Sequence, residues 1–387
     1  MTQAYANIIF LEYISVAHNA RYSRRRDVSH KPVIVFAGGG HAHLYSLRRT
    51  AALIQAGYEV ILVNPGPHLY YSGMATGVVS GLYFPEQSRL NVRRMVENGG
   101  GRFVEGRVEK VLPEESILLL EGGESLSYDV ASFCVGSEVG ECVGGIPVKP
   151  VSNAALIRGN LKEPGMRAVI AGGSVAGCEI AANAAECLKR TNPTATLTLV
   201  ESGPELLATA PRKARREISD YLRDKNVQTI LNSRVVSHDA GIVRLDTGRS
   251  LAADVLILAT GTLPPPLFSR SNVLTGEDGG LWVDHYLRSP NHPKLFGGGD
   301  AVSFRGGKLP GLGVYAIRQG PVLFHNVRAT LKGEPLAPFE PQKRYLYVLN
   351  LGNGTGLGVR GGFSWRGRSA MKLKHLIDQR FMREYGN

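Results

Sequence analysis

Two stretches of this chain show the same succession of apolar and polar positions. Val33-Ile34-Val35-Phe36-Ala37 is an unbroken apolar run that ends in Gly38-Gly39-Gly40-His41-Ala42-His43. Ala168-Val169-Ile170-Ala171 is a second, ending in Gly172-Gly173-Ser174-Val175-Ala176-Gly177. A short apolar run bounded by glycines predicts a strand buried on both faces. After each turn the apolar period becomes that of a helix, predicted over His41 to Ala56 and over Ala176 to Leu188. Second apolar runs then predict strands at Tyr58 to Val63 and Thr196 to Val200, closed by the polar residues Asn64 and Glu201. The spacing is 26 positions from Gly38 to Asn64 and 29 from Gly172 to Glu201, enough for one helix and two short connections. Downstream, Tyr128-Asp129 leads an apolar run to Gly136, and Asp254 leads Val255 to Gly261. The pattern is an internal duplication with a period of about 130 residues, longer than solenoid repeats and suited to paired domains.

Glycines at such turns let the backbone leave a buried strand sharply. They also let a pyrophosphate approach the amide groups at the next helix N-terminus. Two turns with full βαβ context predict an α/β fold with two Rossmann-like dinucleotide-binding domains and a small C-terminal region. The residues assigned to phosphate and nucleotide contact are Gly38, Gly39, Gly40, His41, His43 and Asn64 in the first unit. In the second they are Gly172, Gly173, Ser174, Gly177 and Glu201. His41 and His43 also invite a metal reading, but rings two positions apart at a helix start diverge, so no metal is expected.

A chain of 387 residues with 43% apolar and 20% charged content is globular and long enough for two or three domains. The net charge of +12 and pI near 9.6 point to polyanions. Arg21, Arg24, Arg25, Arg26 and Lys31 cluster before the first strand, and Arg366, Arg368, Lys372, Lys374, Arg380 and Arg383 near the end. No nucleic-acid fold accompanies them, so a membrane surface is expected and a nucleic acid is not. From Met371 onward Leu373, Leu376, Ile377, Phe381 and Tyr385 recur at helical spacing among basic residues. That predicts a basic amphipathic helix, which either covers its own domain or a homodimer partner, or lies on a membrane.

The four cysteines, Cys134, Cys142, Cys178 and Cys187, form no metal spacing and suit a reducing compartment. The first 30 residues read as an extension: Glu12 interrupts the apolar segments and the arginines follow them, which fits a secretory signal poorly. No run of 18 apolar residues exists to span a bilayer. The expected location is cytoplasmic, with peripheral contact on the inner face of the membrane as a further expectation.

These motifs resemble the FAD-dependent pyridine nucleotide-disulfide oxidoreductase superfamily, in which an NAD(P)H domain interrupts an FAD domain. The two glycine turns carry the resemblance. So do Ala259-Thr260-Gly261 and Leu295-Phe296-Gly297-Gly298-Gly299-Asp300-Ala301, similar to the second FAD signature. The resemblance implies that Asp300, between Gly299 and Ala301, bonds the flavin ribityl chain, with Gly136 and Gly261 at the cofactors. It implies that the helix after Leu312 to Gly320 aims its N-terminus near the flavin pyrimidine ring, where it favours an anionic reduced flavin. It places Glu179 near the nicotinamide, Gln319 at the flavin edge or acceptor, and Tyr70, Tyr71, Ser72 and Met74 along the flavin. Pro67 to Gly81 and Asp378-Gln379-Arg380-Phe381-Met382 are similar to the oxidoreductase half joined to selenide, water dikinase in some organisms. Type II NADH dehydrogenases share the plan.

Some positions depart from the superfamily pattern. His43 replaces the third glycine of the first turn, Asn64 an acid, and Ser174 the middle glycine of the second turn. Glu201 keeps the acid that binds a ribose 2′-hydroxyl and repels a 2′-phosphate, so NADH is expected over NADPH. No cysteine precedes Cys134 and none follows Cys187. The cysteines that disulfide reductases and sulfide:quinone oxidoreductases need are therefore missing from their places. A quinone is the expected acceptor, ahead of a dye-like or selenium-linked one. The rival reading is a flavin- and NADH-binding redox sensor or membrane-associated interaction protein with little turnover. The expected segments are 1–31 extension, 32–150 and 264–334 FAD-binding, 151–263 NAD(P)H-binding, and 335–387 C-terminal.

Overall fold

The computed structural model describes residues 31–140, 144–307 and 309–386. The N-terminal extension, Lys31 apart, and Cys142 lie outside the described residues.

Strand β1 (Val33–Ala37) is buried at every position because both of its faces are covered. The helix expected over His41 to Ala56 forms as two pieces, α1 (Leu44–Leu47) and α2 (Thr50–Gln55). Between them Thr50 Oγ1 donates to the Leu47 carbonyl at 2.8 Å, and a hydroxyl competing for a helical carbonyl interrupts the ladder. Strand β2 (Glu59–Asn64), helix α3 (Ser72–Ser80) and strands β3 (Arg102–Glu105) and β4 (Val130–Phe133) follow. Strand β5 (Ile146–Pro147) already pairs in the second sheet, ahead of the boundary expected at 150.

Strand β6 (Arg167–Ala171), helix α4 (Val175–Thr191) and strands β7 (Thr196–Val200), β8 (Gln228–Ile230) and β9 (Val255–Leu258) complete that unit. The chain then returns through β10 (Leu295–Gly297) and the long helix α5 (Gly313–Lys332). Three antiparallel strands, β11 (Leu346–Asn350), β12 (Gly356–Arg360) and β13 (Phe363–Gly367), lead into α6 (Arg368–Tyr385).

The two main sheets have orders β10-β4-β1-β2-β3 and β5-β9-β6-β7-β8, parallel throughout. β1 and β6 hold equivalent central places, each between the strand that follows its helix and a later one. Ligands of open parallel sheets bind outside the carboxyl ends at such a reversal of strand order. Both glycine turns leave there. β10 joins the first sheet only after the second is complete, so one unit interrupts the other.

Helix α6 corrects the amphipathic reading of the C-terminus. Its buried face is Ala370, Met371, Lys374, Asp378, Phe381 and Tyr385, while Leu376 and Ile377 are exposed. Lys374 and Asp378 enter the buried stripe because they pair with each other at 2.7 Å and with the Gly73 carbonyl and the Tyr71 hydroxyl. That pairing offsets the cost of burying charge.

Candidate functional site

Each turn begins with a glycine in the left-handed region, Gly38 at φ +85° and Gly172 at φ +103°. A Cβ there would lie 2.4 Å from the Cys134 carbonyl oxygen and 2.5 Å from that of Ala259, so the later strand abuts the turn. The second glycine of each turn is capped by the polar residue that closes the next strand. Gly39 N–H donates to Asn64 Oδ1 at 2.7 Å, and Gly173 N–H to Glu201 Oε2 at 2.5 Å. Glu201 Oε1 also accepts from Gly203 N–H at 2.6 Å. Asn64 thus performs the same local task as the acid it replaces.

The third positions part company. A Cβ on Gly177 would lie 1.7 Å from the Gly172 carbonyl oxygen, and α4 starts at Val175, directly after Ser174. His43, in the equivalent place, is fully buried, and 41–43 is a turn, so the first helix starts only at Leu44. Its Nδ1 lies 2.6 Å from the Gly38 carbonyl oxygen and its Nε2 2.9 Å from Ser132 Oγ. Burial lowers its pKa to about 4, with the Gly38 carbonyl opposing. The ring is neutral: Nδ1–H donates to Gly38, and Nε2 accepts from Ser132.

One continuous cleft of about 1770 Å³ runs along both turns. Gly38, Gly39, Gly40, His41, Asn64 and Gly136 line its first end, and Gly173, Ser174, Glu201 and Gly261 its second. Glu179, Gly299 and Asp300 line it between them, as do Tyr70, Tyr71 and Ser72. His43, Gly172, Gly177, Ala301 and Gln319 do not line it. Of these five, His43 and Gln319 are fully buried and bond to the protein, behind the wall of the cleft. The physical reason is clearest at Gln319, on the buried face of α5 with no exposed surface. Its Oε1 accepts from Gly299 N–H at 2.7 Å, so it holds the loop that presents Asp300. Met74 is likewise buried and off the cleft. Helix α5 begins at Gly313, inside the segment Leu312 to Gly320 and not after it as expected, and Leu312, Gly313 and Val314 at its N-terminus line the cleft.

Asp300 has partners that sequence reasoning missed. Lys149 Nζ donates to its Oδ2 at 2.5 Å and Ser137 Oγ at 3.1 Å, and Lys149 also donates to Ser137 Oγ at 2.8 Å. The only signal for Lys149 was a lone charge in the apolar connection Ile146 to Val151.

Helix α6 closes one side of the cleft. Tyr71 and Phe381 stack at 4.1 Å between centroids, and His41 lies against both. Tyr71 OH donates to Asp378 Oδ1 at 3.0 Å, and Lys374 donates to Asp378 Oδ2 and to the Gly73 carbonyl. Burial raises the Asp378 pKa against the opposing charge of Lys374. Glu179, on α4, accepts from Thr76 Oγ1 at 3.1 Å and from Asn350 N–H at 2.7 Å. It therefore bridges both nucleotide units and the C-terminal sheet. Burial raises its pKa too, with Lys374 opposing.

The residues fit two nucleotides. The cleft exceeds the roughly 300–1,000 Å³ of a pocket for one small ligand. His41 lines it, and its Nε2 is a buried nitrogen with no partner among the described residues; burial lowers the ring's pKa to about 4. A neutral imidazole left unpaired in a phosphate turn is a place for a ligand group.

Known proteins agree with this geometry. The model of the pyridine nucleotide-disulphide oxidoreductase family matches residues 32–320. The alternative NAD(P)H-ubiquinone oxidoreductase C1, chloroplastic/mitochondrial, of Arabidopsis thaliana is 24% identical over 90% of this chain and 78% of its own length. The ferredoxin--NAD(+) reductase component of a Photorhabdus laumondii 3-phenylpropionate/cinnamic acid dioxygenase is 25% identical over 60% of this chain, which spans 61% of it. Among solved structures, the sulfide:quinone oxidoreductase of Aquifex aeolicus superposes with a TM-score of 0.78 over 92% of both chains at 15% identity. NDH2 of Plasmodium falciparum, in complex with NADH, gives 0.75 over 92% of this chain and 99% of that one, also at 15%. At that identity the structures speak for the fold alone. The family match over most of the chain, on a fold that sets two nucleotide turns along one cleft, places this protein in the pyridine nucleotide-disulphide oxidoreductase family, as an NAD(P)H-dependent flavoprotein oxidoreductase.

Proposed function

We propose that the protein takes a hydride from NADH at the second turn and passes the electrons, through FAD held at the first, to a quinone. The observation that carries this reading is the single cleft shared by the two turns, a continuous space along which two dinucleotides could meet. FAD occupies the unit built from 32–145 and 264–334, and NADH the unit up to 263. Bound flavin supplies the chemistry, accepting two electrons as hydride and releasing them to the acceptor. The protein's part is placement, and proximity alone lowers a barrier by several kcal/mol.

Glu201 supports NADH over NADPH: its carboxylate faces the cleft, fixed by Gly173 and Gly203, where a 2′-phosphate would meet like charge. Glu179, fixed from two sides, holds its carboxyl where the two units meet. Val314, Ile317, Tyr345, Tyr347, Val348 and Ile377 line the cleft beside α5, β11 and α6. Such an apolar, aromatic wall suits a flat acceptor, and a ubiquinone reductase is among the relatives.

No helix among the described residues is long and apolar enough to cross a membrane. Leu376 and Ile377, exposed on α6 beside Lys372 and Arg380, support attachment to an anionic bilayer from the cytoplasmic side. A homodimer contact is the other use of that face, and sedimentation with anionic vesicles separates the two.

Steady-state kinetics test the reading. NADH oxidation coupled to a soluble quinone, with NADPH a poorer donor, is the expected result. Tight binding of NADH with a charge-transfer band and no turnover would instead make the protein a redox sensor.

A further inference from the structure

Lys149 joins the two halves of the cleft. Its backbone continues β5 at the edge of the second sheet, where Val148 N–H donates to the Leu258 carbonyl at 3.0 Å. Its side chain crosses to the first half, to Asp300 Oδ2 at 2.5 Å and Ser137 Oγ at 2.8 Å. Ser137 closes the triangle by donating to the same carboxylate oxygen at 3.1 Å. All three residues line the cleft, and the lysine and aspartate side chains are each 27% exposed. A pair so sheltered and fixed by a third hydrogen bond holds its geometry better than a surface pair. Asp300 therefore faces the cleft with its charge compensated by a cation delivered from the opposite sheet.

We propose that Lys149 is a positioning residue that fixes Asp300 for FAD and keeps a positive charge beside the bound cofactor, raising its reduction potential. This rests on the flavoprotein reading above. Reduced flavin carries more negative charge than oxidised flavin, so a fixed nearby cation favours the reduced form and an uncompensated carboxylate opposes it.

Lys149→Met and Lys149→Arg, compared with the native protein, test this by dye-coupled anaerobic titration of the midpoint potential and by FAD dissociation followed by fluorescence. The methionine variant should bind reduced relative to oxidised flavin about tenfold less well, a drop of about 30 mV for a two-electron couple. It should also release FAD several-fold more readily, while the arginine variant stays near native on both readouts. Lys149→Gln, which keeps a donor but no charge, gives the same potential test if the methionine variant does not fold. A native potential in the neutral variants overturns the proposal and leaves the flavoprotein reading standing. A native protein that takes up no flavin overturns that reading itself.

Discussion

Tyr71 and Asp378, 307 positions apart in sequence, meet through a buried hydrogen bond of 3.0 Å that fastens the C-terminal helix to the flavin-side loop. Lys374 completes the contact on the other carboxylate oxygen, and its side chain is only 8% exposed.

Removing one member of that pair leaves a charge buried alone. Lys374→Met should destabilise by about 3–5 kcal/mol, the usual cost of orphaning one partner of a buried pair. Tyr71→Phe should cost about 1 kcal/mol, one hydrogen bond. Urea unfolding of both variants checks the ordering; equal and small losses would show that α6 is held by its aromatic contacts alone.

His43 gives the fold an acid-sensitive point. Its folded pKa, about 4, lies below the usual 6.5, so its contribution is complete above pH 6.5 and is lost as pH falls toward 4, where the unfolded chain binds a proton that the folded one refuses. The loss is on the order of 3 kcal/mol. His43→Gln should flatten the dependence of Tm on pH between 4.5 and 7; an unchanged slope would place the acid sensitivity elsewhere.

Gly177 tests the duplication from the other side. A methyl group there would collide with the Gly172 carbonyl, a backbone atom that cannot rotate away. Gly177→Ala should weaken NADH binding by at least tenfold while FAD remains bound, since the first turn is untouched. Isothermal titration with NADH reads this directly, and native affinity would show that α4 can shift without cost to the site.

Glu201→Ala removes both the cap on Gly173 and the repulsion of a 2′-phosphate. The ratio of kcat/KM for NADH to that for NADPH should fall by about tenfold. An unchanged ratio would put the discrimination on another residue.

The chain disclosed its architecture because that rests on local pattern: apolar runs, glycine turns and closing polar residues sit close together in sequence. Strands β1, β2, β6 and β7 and helix α4 fall where that pattern predicts. What it hid depends on partners far away. His43 reads in the sequence as a nucleotide contact and is a buried brace, because Ser132, 89 positions on, completes its hydrogen bonding. Gln319 looked like an edge residue and faces inward to Gly299. Lys374 and Asp378 broke the apolar stripe of α6, and only the fold shows Tyr71 and Gly73 receiving them. Lys149 carried no motif, since its meaning lies in Asp300, 151 positions away.

The most direct test of paired nucleotides along one cleft is the visible spectrum of the purified protein before and after NADH is added without oxygen. A yellow protein whose flavin band bleaches on adding NADH is the predicted result. A colourless protein that cannot be reconstituted with FAD, or a bound flavin that NADH leaves oxidised, would contradict it.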